Sequence, residues 1–245
     1  GLFVTHERSF EQMHEKAPGI YRLITNFSGR FDYTIPYTLA LTGGGIADQV
    51  AEIERFTRIL PRYTTLQKAD DQFTNIRVFY VDSCFGDIFS FPVLEGDPLQ
   101  ALNNPMHIVL TRKMAESLFP GQEATGQVLE MDLLRINIEK DQHETQRRSF
   151  VVGAVLEDPP SNTHLQFDIL APLLAIPADE QQKLMNFFAT YLLLTEPPSL
   201  AVQEKIGQLA TEKVLEVYGY YLQASIELQA LKDIHFGRHL DGDLH

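Results

Sequence analysis

The sequence predicts an α+β fold, and three observations carry this prediction. Residues 1–83 order their segments as strand, helix and strands, which suits a split βαβ layer better than a doubly wound sheet. Residues 189–231 repeat the order strand, helix, strand near the other end of the chain. The hydrophobic fraction of 44% in 245 residues is sufficient for one large domain or two small ones with a real core.

Hydrophobic periodicity and turn residues give the elements of the first block. A helix is predicted near its start because Ser9 and Gln12 have the three-residue spacing of a capping box. Alternating and helical spacings distinguish the other elements. In order they are a helix at 5–16, a strand at 20–27, two helix halves at 35–41 and 46–57 separated by the glycines 43–45, and strands at 56–60, 63–67 and 73–81.

The densest local signals lie between residues 85 and 119. An aromatic-rich turn at residues 85–91 leads to a short predicted strand at residues 107–110. Thr111 is predicted to be the N-cap of a helix over residues 112–118, because its hydroxyl can accept a hydrogen bond from an orphan amide of the first turn. This stretch contains no paired nucleophile and base and no metal spacing.

The rest of the chain continues the mixture of strands and helices. The highly charged residues 139–148 are predicted to form a solvated loop between two strands, and residues 165–169 alternate as a half-exposed strand would. The predicted elements are strands at 127–138, 149–156, 165–169, 189–195 and 222–231, a helix at 178–187, and a helix after Pro197-Pro198-Ser199 with the apolar stripe Val202, Ile206, Leu209, Ala210 and Val214.

Charge and composition exclude several classes of partner and site. The chain has 33 acidic and 20 basic residues, a formal charge of −13, and no basic cluster longer than Arg147-Arg148, so we expect no nucleic-acid partner. No stretch reaches the roughly 20 apolar residues of a membrane-spanning helix. The single cysteine, Cys84, excludes an internal disulfide and is interpreted as a small buried hydrophobe.

Two local patterns resemble ligand-binding motifs, but each lacks a feature that the motif requires. Residues 42–45, Thr-Gly-Gly-Gly, could cradle phosphate at a helix start, but the Lys and Ser/Thr that complete a Walker loop are missing. We interpret them as a flexible break between helix halves. His6-Glu7 and His14-Glu15 would lie about 12 Å apart on a helix, too far for a shared ion, so they are interpreted as a solvated surface.

The remaining histidines are also interpreted as structural. His235 and His239 have the spacing of helical zinc ligands beside Asp241, Asp243 and His245, but the general-base glutamate is missing and Gly237 weakens a helix. His107 and His164 stand alone beside strands, as hydrogen-bonded structural residues do. With no nucleophile elbow, we predict no catalytic, cofactor-binding or metal-binding residue, no cofactor and no enzyme activity.

Segments spread over most of the chain resemble one known family. They are Glu7-Arg8-Ser9-Phe10 through Ile20-Tyr21-Arg22, Asp87-Ile88-Phe89-Ser90-Phe91 through Leu94-Glu95-Gly96-Asp97-Pro98, Ile108-Val109-Leu110-Thr111 through Met114-Ala115, Gly126 before Val128-Leu129, Phe150-Val151-Val152-Gly153-Ala154-Val155, and Asp158-Pro159-Pro160-Ser161-Asn162-Thr163-His164-Leu165-Gln166-Phe167-Asp168. In this order they resemble the extracytoplasmic domain of MacB/FtsX-type ABC transporter permeases.

The resemblance implies a non-catalytic periplasmic domain of an inner-membrane permease, between its first two transmembrane helices. Residues 1–83 and 171–245 would form a porter-like subdomain of split βαβ units, and residues 84–170 an inserted, smaller mixed α/β, Sabre-like subdomain. The domain would transmit movement driven by ATP hydrolysis on a separate ATP-binding subunit or domain. Other implied partners are a second permease copy and a periplasmic adaptor or substrate protein. The start at Gly1 without Met agrees with an excised piece of a membrane-embedded protein.

Two other function classes stay open at this point. An acidic extracytoplasmic α/β module also suits the ligand-binding sensor domain of a membrane receptor. A metal-dependent hydrolase built on the C-terminal histidines would bind zinc stoichiometrically. Within the permease family, drug efflux, lipoprotein extraction, peptide export and control of cell-wall hydrolases are not distinguished by this sequence.

Overall fold

The computed structural model describes residues 11, 13–28, 32–40, 42–137, 142–183, 188–218, 223–234 and 244. The strands of this part are β1 (Ile20–Ser28), β2 (Tyr33–Ile35), β3 (Ile53–Lys68), β4 (Asp71–Val81), β5 (Val93–Gly96), β6 (His107–Thr111), β7 (Val128–Asn137), β8 (Gln142–Leu156), β9 (Ile169–Pro172), β10 (Ala189–Leu194) and β11 (Gln223–Ala230). The helices are α1 (Thr42–Ala47), α2 (Phe85–Ile88), α3 (Pro98–Leu102), α4 (Arg112–Leu118), α5 (Ala178–Lys183) and α6 (Leu200–Tyr218).

All of these strands belong to one mixed sheet. Its order is β11-β1-β10-β3-β4-β9-β6-β8-β5, while β2 pairs with β1 and β7 pairs with both β3 and β8. The α+β prediction is therefore confirmed. No helix of the described residues is long and apolar enough to cross a membrane.

Two interleaved split βαβ units build one half of the sheet. Strand β10 runs antiparallel to both β1 and β3, so β1 and β3 are parallel strands joined through α1 with β10 between them. In the same way β10 and β11 are joined through α6 and flank β1, which is antiparallel to both. The sequence order strand, helix, strand at each end of the chain thus predicted the split arrangement correctly.

The two crossover helices pack on the same face of this half. Ile46 of α1 and Ile206, Ala210 and Val214 of α6 are completely buried in one apolar cluster with Leu23 of β1. The apolar stripe predicted from the sequence is the buried face of α6. Before this helix, the hydroxyl of Ser199 accepts a hydrogen bond from the main-chain N–H of Val202 at 3.3 Å.

The other half of the sheet is attached through the parallel pair β4 with β9 and through the antiparallel pairing of β3 with β7. Strand β9 is antiparallel to β6, and β6 is parallel to β8, so residues from distant parts of the chain alternate in the sheet. Apolar clusters on the two faces each contain side chains from both halves, including Leu60 with Leu110 on one face and Phe79 with Val109 on the other.

The predicted cap of α4 is confirmed. The hydroxyl of Thr111 accepts a hydrogen bond from the main-chain N–H of Met114 at 3.4 Å, and the helix runs over Arg112–Leu118 as predicted. Asp158 also accepts a hydrogen bond from the main-chain N–H of Lys113 at 2.9 Å, which satisfies a second orphan amide of the first turn.

The prediction of two helix halves around the glycines is wrong. Helix α1 contains the glycines, residues 36–40 carry only an isolated bridge from Thr38 to Phe188 within the described part, and β3 begins at Ile53. Ile46, Val50 and Ile53 are all buried, which explains the helical spacing. Pairing of Ile53 with Leu194 makes this segment a strand, because a buried position beside β10 also requires its backbone groups to be paired.

The charged residues 139–148 do not form the predicted loop where the structure describes them. Strand β8 begins at Gln142 and continues the hairpin with β7. Arg147 donates to both carboxylate oxygens of the facing Asp132, at 2.7 and 3.2 Å. Opposite charges paired across the two strands therefore allow an extended ladder that reaches into solvent.

The three strands predicted at residues 56–60, 63–67 and 73–81 are in the structure two long strands, β3 and β4.

Two further predictions of regular structure are wrong. The described residues among 5–16 form turns, and Glu11 has a φ of 60°, which a right-handed helix does not allow; residues 5–10 and 12 lie outside the described part. The strand predicted at residues 165–169 begins only at Ile169, although Leu165 and Phe167 are buried as the alternation indicated.

Candidate functional site

A buried carboxylate joins the segment before β1 to the rest of the molecule. Glu11 is 1% exposed, and its Oε1 accepts hydrogen bonds from the main-chain N–H of His164 at 2.7 Å and from the His164 ring at Nδ1, 2.6 Å away. Its Oε2 accepts a hydrogen bond from the Thr163 hydroxyl at 2.9 Å. The main-chain N–H of Glu11 donates to the carbonyl of Asn162 at 2.9 Å. Four hydrogen bonds thus hold one residue against residues 162–164.

His14 and Tyr191 complete this group, which we call the carboxylate cluster (Glu11, His14, Thr163, His164 and Tyr191). His14 Nδ1 accepts a hydrogen bond from the main-chain N–H of Ser90 at 3.1 Å, so its proton lies on Nε2, 3.3 Å from Glu11 Oε2. On the other side, His164 Nε2 lies 2.5 Å from the hydroxyl of Tyr191 in β10.

The surroundings of Glu11 determine its protonation state. Burial by itself raises the pKa of the Glu11 carboxyl, but the facing His164 with its hydrogen bonds, and His14 Nε2 3.3 Å away, together hold that pKa well below its usual range. Glu11 is therefore ionised at neutral pH. A buried negative charge of this kind is stable only while its donors stay in place.

The chain Glu11, His164, Tyr191 has the order of a proton relay, but its geometry fits a structural role. His164 and Tyr191 are both completely buried and Glu11 is nearly so, which leaves no room for a substrate at the Tyr191 hydroxyl. The interpretation of His164 as a hydrogen-bonded structural residue agrees with this arrangement.

The cluster is connected to helix α4 through one short stretch, residues 158–168, which we call the connecting loop. Asp158 at its start caps α4 through Lys113, as described above. Thr163 and His164 in its middle bind Glu11. Asp168 at its end accepts a hydrogen bond from the main-chain N–H of Arg77 at 2.9 Å, while its own N–H donates to the Arg77 carbonyl. The loop therefore fastens the segment before β1 to α4 and to β4.

The glycines 43–45 serve close packing rather than ligand binding. A Cβ at Gly43 would lie 2.6 Å from the ring of Phe56 and 3.2 Å from the methyl group of Thr190. A Cβ at Gly45 would lie 3.2 Å from the side chain of Lys213 in α6. The glycines let α1 approach β3, β10 and α6 closely, so the interpretation as a flexible break is wrong.

The structure does not bring Cys84 and His107, two other residues considered in the sequence, into a common site. Cys84 is half-buried and donates to the Phe56 carbonyl at 2.9 Å, and burial beside Asp82 raises the pKa of its thiol to about 11. His107 lies half-buried at the start of β6. Residues 235–243 and 245, with the C-terminal histidines, lie outside the described part, as does His6. Within the described ranges, no group of three or more His, Cys, Asp or Glu could hold a metal ion.

Sequence reasoning missed the carboxylate cluster, because its members come from three distant segments. Glu11 and His164 are separated by 153 positions, and Tyr191 is 27 positions further along. No local spacing links them. The one available signal was the polar run around Thr163 and His164 between apolar neighbours, which is typical of side chains that need buried partners.

Comparison with known proteins agrees with the fold. A family model described as MacB-like periplasmic core domain matches residues 1–209. A domain of a putative permease protein from Porphyromonas gingivalis has 16% identity and a TM-score of 0.71, over 89% of this chain and 91% of that one. The periplasmic region of MacB from Actinobacillus actinomycetemcomitans has 15% identity and a TM-score of 0.59, over 90% and 92%.

A third structure also has the same fold. The extracellular domain of the noncanonic ABC-type transporter YknZ from Gram-positive bacteria has 13% identity and a TM-score of 0.57, over 86% of this chain and 99% of that one. At these identities the likeness concerns the fold alone. A comparison with curated proteins gives no significant match.

Proposed function

Because this chain belongs to the family of MacB-like periplasmic core domains, we propose that it transmits ATP-driven movement from a membrane-embedded permease to an external substrate or partner. In this proposal the parent permease lies in the inner membrane with this domain in the periplasm. A separate ATP-binding subunit or domain hydrolyses ATP, and a second permease copy completes the transporter. The family model describes a periplasmic domain of a transporter, so we assign no catalytic step to the domain itself.

The pairing of β1 with β11, the first and last strands of the described residues, is the observation that carries the proposal. The first residues of β1 pair with the last residues of β11, with Tyr21 opposite Ala230. The chain therefore enters the sheet and leaves it at the same edge, side by side. Membrane helices that precede and follow this domain would act on β1 and β11 through the segments before and after these strands, and both strands belong to the interleaved βαβ units.

The carboxylate cluster supports the next step of the proposal. Movement of the segment before β1 would pull on Glu11, which is bound to Thr163 and His164. The connecting loop carries the same displacement to the first turn of α4, where Asp158 binds the main-chain N–H of Lys113. Hydrogen bonds to a buried charge resist extension, so this path is stiff compared with a solvated loop.

We assign the two ends of this path to two subdomains. Residues 1–83 and 171–245 would form the porter-like subdomain next to the membrane, and residues 84–170 the inserted Sabre-like subdomain that faces the substrate or an adaptor. The interleaved βαβ units of the first and the location of α4 in the second support the division. The parallel pair β4–β9 and the antiparallel pairing of β3 with β7 would join the two subdomains.

The proposal is tested on the full-length permease reconstituted in lipid nanodiscs. A spin label at Leu200→Cys, whose native side chain is 71% exposed, reports the distance between the two copies of the domain. We expect this distance distribution to shift between the nucleotide-free state and the state trapped with ATP and vanadate. Identical distributions in both states, or a full-length protein without transmembrane helices beside the domain, would contradict the proposal.

A further inference from the structure

An apolar cleft lies beside β5, the last strand of the sheet order. Its volume is about 530 Å³, within the roughly 300–1,000 Å³ range of ligand sites. Leu156 of β8, Leu170 of β9, and Leu99 and Leu102 of α3 line it. Three aromatic side chains, Phe85, Phe89 and Phe91, also line it.

An unpaired strand edge lies beside this cleft. Strand β5 is the last strand of the sheet, and no other strand of the described residues pairs with its outer edge. Val93 at its start lines the cleft and is 50% exposed, and Leu94 is 41% exposed. Leu99 of α3, which also lines the cleft, is 52% exposed. β5 is only four residues long, with a register irregularity between Val93 and Glu95, so its unpaired side offers main-chain groups for a short stretch of added strand.

The charged side chains that line the cleft are acidic. Glu15 and Asp87 both line it. Asp87 also lies 3.8 Å from the Nε of Arg55, and Lys16 donates to its main-chain carbonyl at 2.7 Å, so Asp87 is partly compensated. The exposed carboxylate of Glu15 has no hydrogen-bond partner in the described part of the chain. The best complement is therefore a single basic group next to an apolar one.

We propose that the cleft and the outer edge of β5 together bind an extended segment of another protein, with a bulky apolar side chain in the cleft and a Lys or Arg beside it. The main chain of this segment would pair with β5 as an additional strand. The apolar side chain would contact the three phenylalanines, and the basic side chain would pair with Glu15. The open strand edge favours a polypeptide over a small molecule, because main-chain pairing is what such an edge offers.

The site also lies against the carboxylate cluster. The ring of His14 contacts the rings of Phe89 and Phe91, at centroid distances of 5.1 and 5.4 Å. An occupant of the cleft would thus touch a wall whose other side packs on His14. In this one respect the inference extends the proposed function, since it names where an external partner would act on the path of movement.

The binding test uses the 245-residue chain and a phage-displayed library of random 12-residue peptides. We expect enrichment of peptides that combine a Phe, Leu or Ile with a neighbouring Lys or Arg. Synthetic copies of the enriched peptides should bind Leu99→Asp about tenfold more weakly or worse, since the apolar contact is replaced by a charge. The matched control is Leu200→Asp. Leu200 is an exposed residue at the start of α6 and does not line the cleft, so this variant should bind like wild type.

Methylation of peptide nitrogens distinguishes strand pairing from simple occupation of the cleft. Methyl groups on alternate residues should abolish binding in one register and leave it intact in the other, because only alternate N–H groups face β5. The proposal is overturned if no peptides are enriched, if both registers bind equally, or if Leu99→Asp has no effect. Binding of the apolar dye 1-anilinonaphthalene-8-sulfonate alone would identify a small-molecule cleft instead. None of these outcomes depends on transport.

Discussion

Replacement of Glu11 by alanine should destabilise the fold strongly. The substitution leaves three donors without their acceptor: the main-chain N–H and the ring Nδ1 of His164, and the hydroxyl of Thr163, which lie 2.6 to 2.9 Å from the carboxylate. Removal of one partner of a buried charged pair costs about 3–5 kcal/mol. We therefore expect Glu11→Ala to lower the free energy of unfolding by about that amount.

The backbone at Glu11 provides a second and sharper comparison. Its φ of 60° is unfavourable for any residue with a Cβ, and such strain costs of order 1–3 kcal/mol. Glycine relieves it. Glu11→Gly should accordingly be more stable than Glu11→Ala by about 1 kcal/mol, opposite to the usual order of these residues in regular structure.

The pH dependence follows from the depressed pKa of Glu11. A carboxyl with a lower pKa in the folded state contributes stability above its unfolded value of about 4.3 and loses it as the pH falls towards the folded value. Between pH 7 and pH 3 the wild type should thus lose more stability than Glu11→Ala does. The wild type would lose less stability than Glu11→Ala only if the pKa of Glu11 were raised in the folded state.

Urea unfolding followed by circular dichroism measures these differences. The control is Glu15→Ala, which removes an exposed carboxylate from the same segment and should change stability by less than about 0.5 kcal/mol. The account of the cluster is refuted if Glu11→Ala lies within about 1 kcal/mol of wild type at pH 7, or if both proteins lose stability equally on acidification.

Three further predictions concern other parts of the fold. Thr111→Ala should cost about 0.5–1 kcal/mol in urea unfolding through loss of the α4 cap, and Thr111→Ser should restore most of it. Gly207→Ala should be destabilising despite better helix propensity, because the added Cβ would lie 2.6 Å from the Ile226 carbonyl and overpacking costs about 1–3 kcal/mol; an equal or higher midpoint would contradict this. Cys84 should react with Ellman's reagent at pH 7.5 much more slowly than the unfolded chain does, since its thiol pKa is raised to about 11.

Local signals predicted part of this structure well. The cap at Thr111 and the stripe on α6 were predictable because each involves residues within a few turns of one helix. The split βαβ order was predictable because a helix that connects two parallel strands appears in the sequence as the order strand, helix, strand. These features depend on short stretches of sequence, so one sequence is enough to find them.

Features fixed by distant partners were not predictable in the same way. The spacing of Ile46, Val50 and Ile53 matched a helix, but pairing with β10 requires a strand at Ile53. The charges around Arg147 suggested a loop, but Asp132 on the facing strand makes them a ladder. The carboxylate cluster likewise depends on contacts between residues that are far apart in the sequence. The low pKa of Glu11 arises only when His164 is beside it.

The most direct test of the central claim places the spin label in the proposed inserted subdomain of the full-length permease. Val128→Cys is suitable, because the native side chain is 58% exposed. The account predicts that the distance between the two labels changes on trapping with ATP and vanadate. In Glu11→Gln, which keeps the shape of the side chain but not its charge, this change should be lost while the change at Leu200→Cys remains. An unaltered change at Val128→Cys in Glu11→Gln would contradict the claim that the cluster transmits the movement.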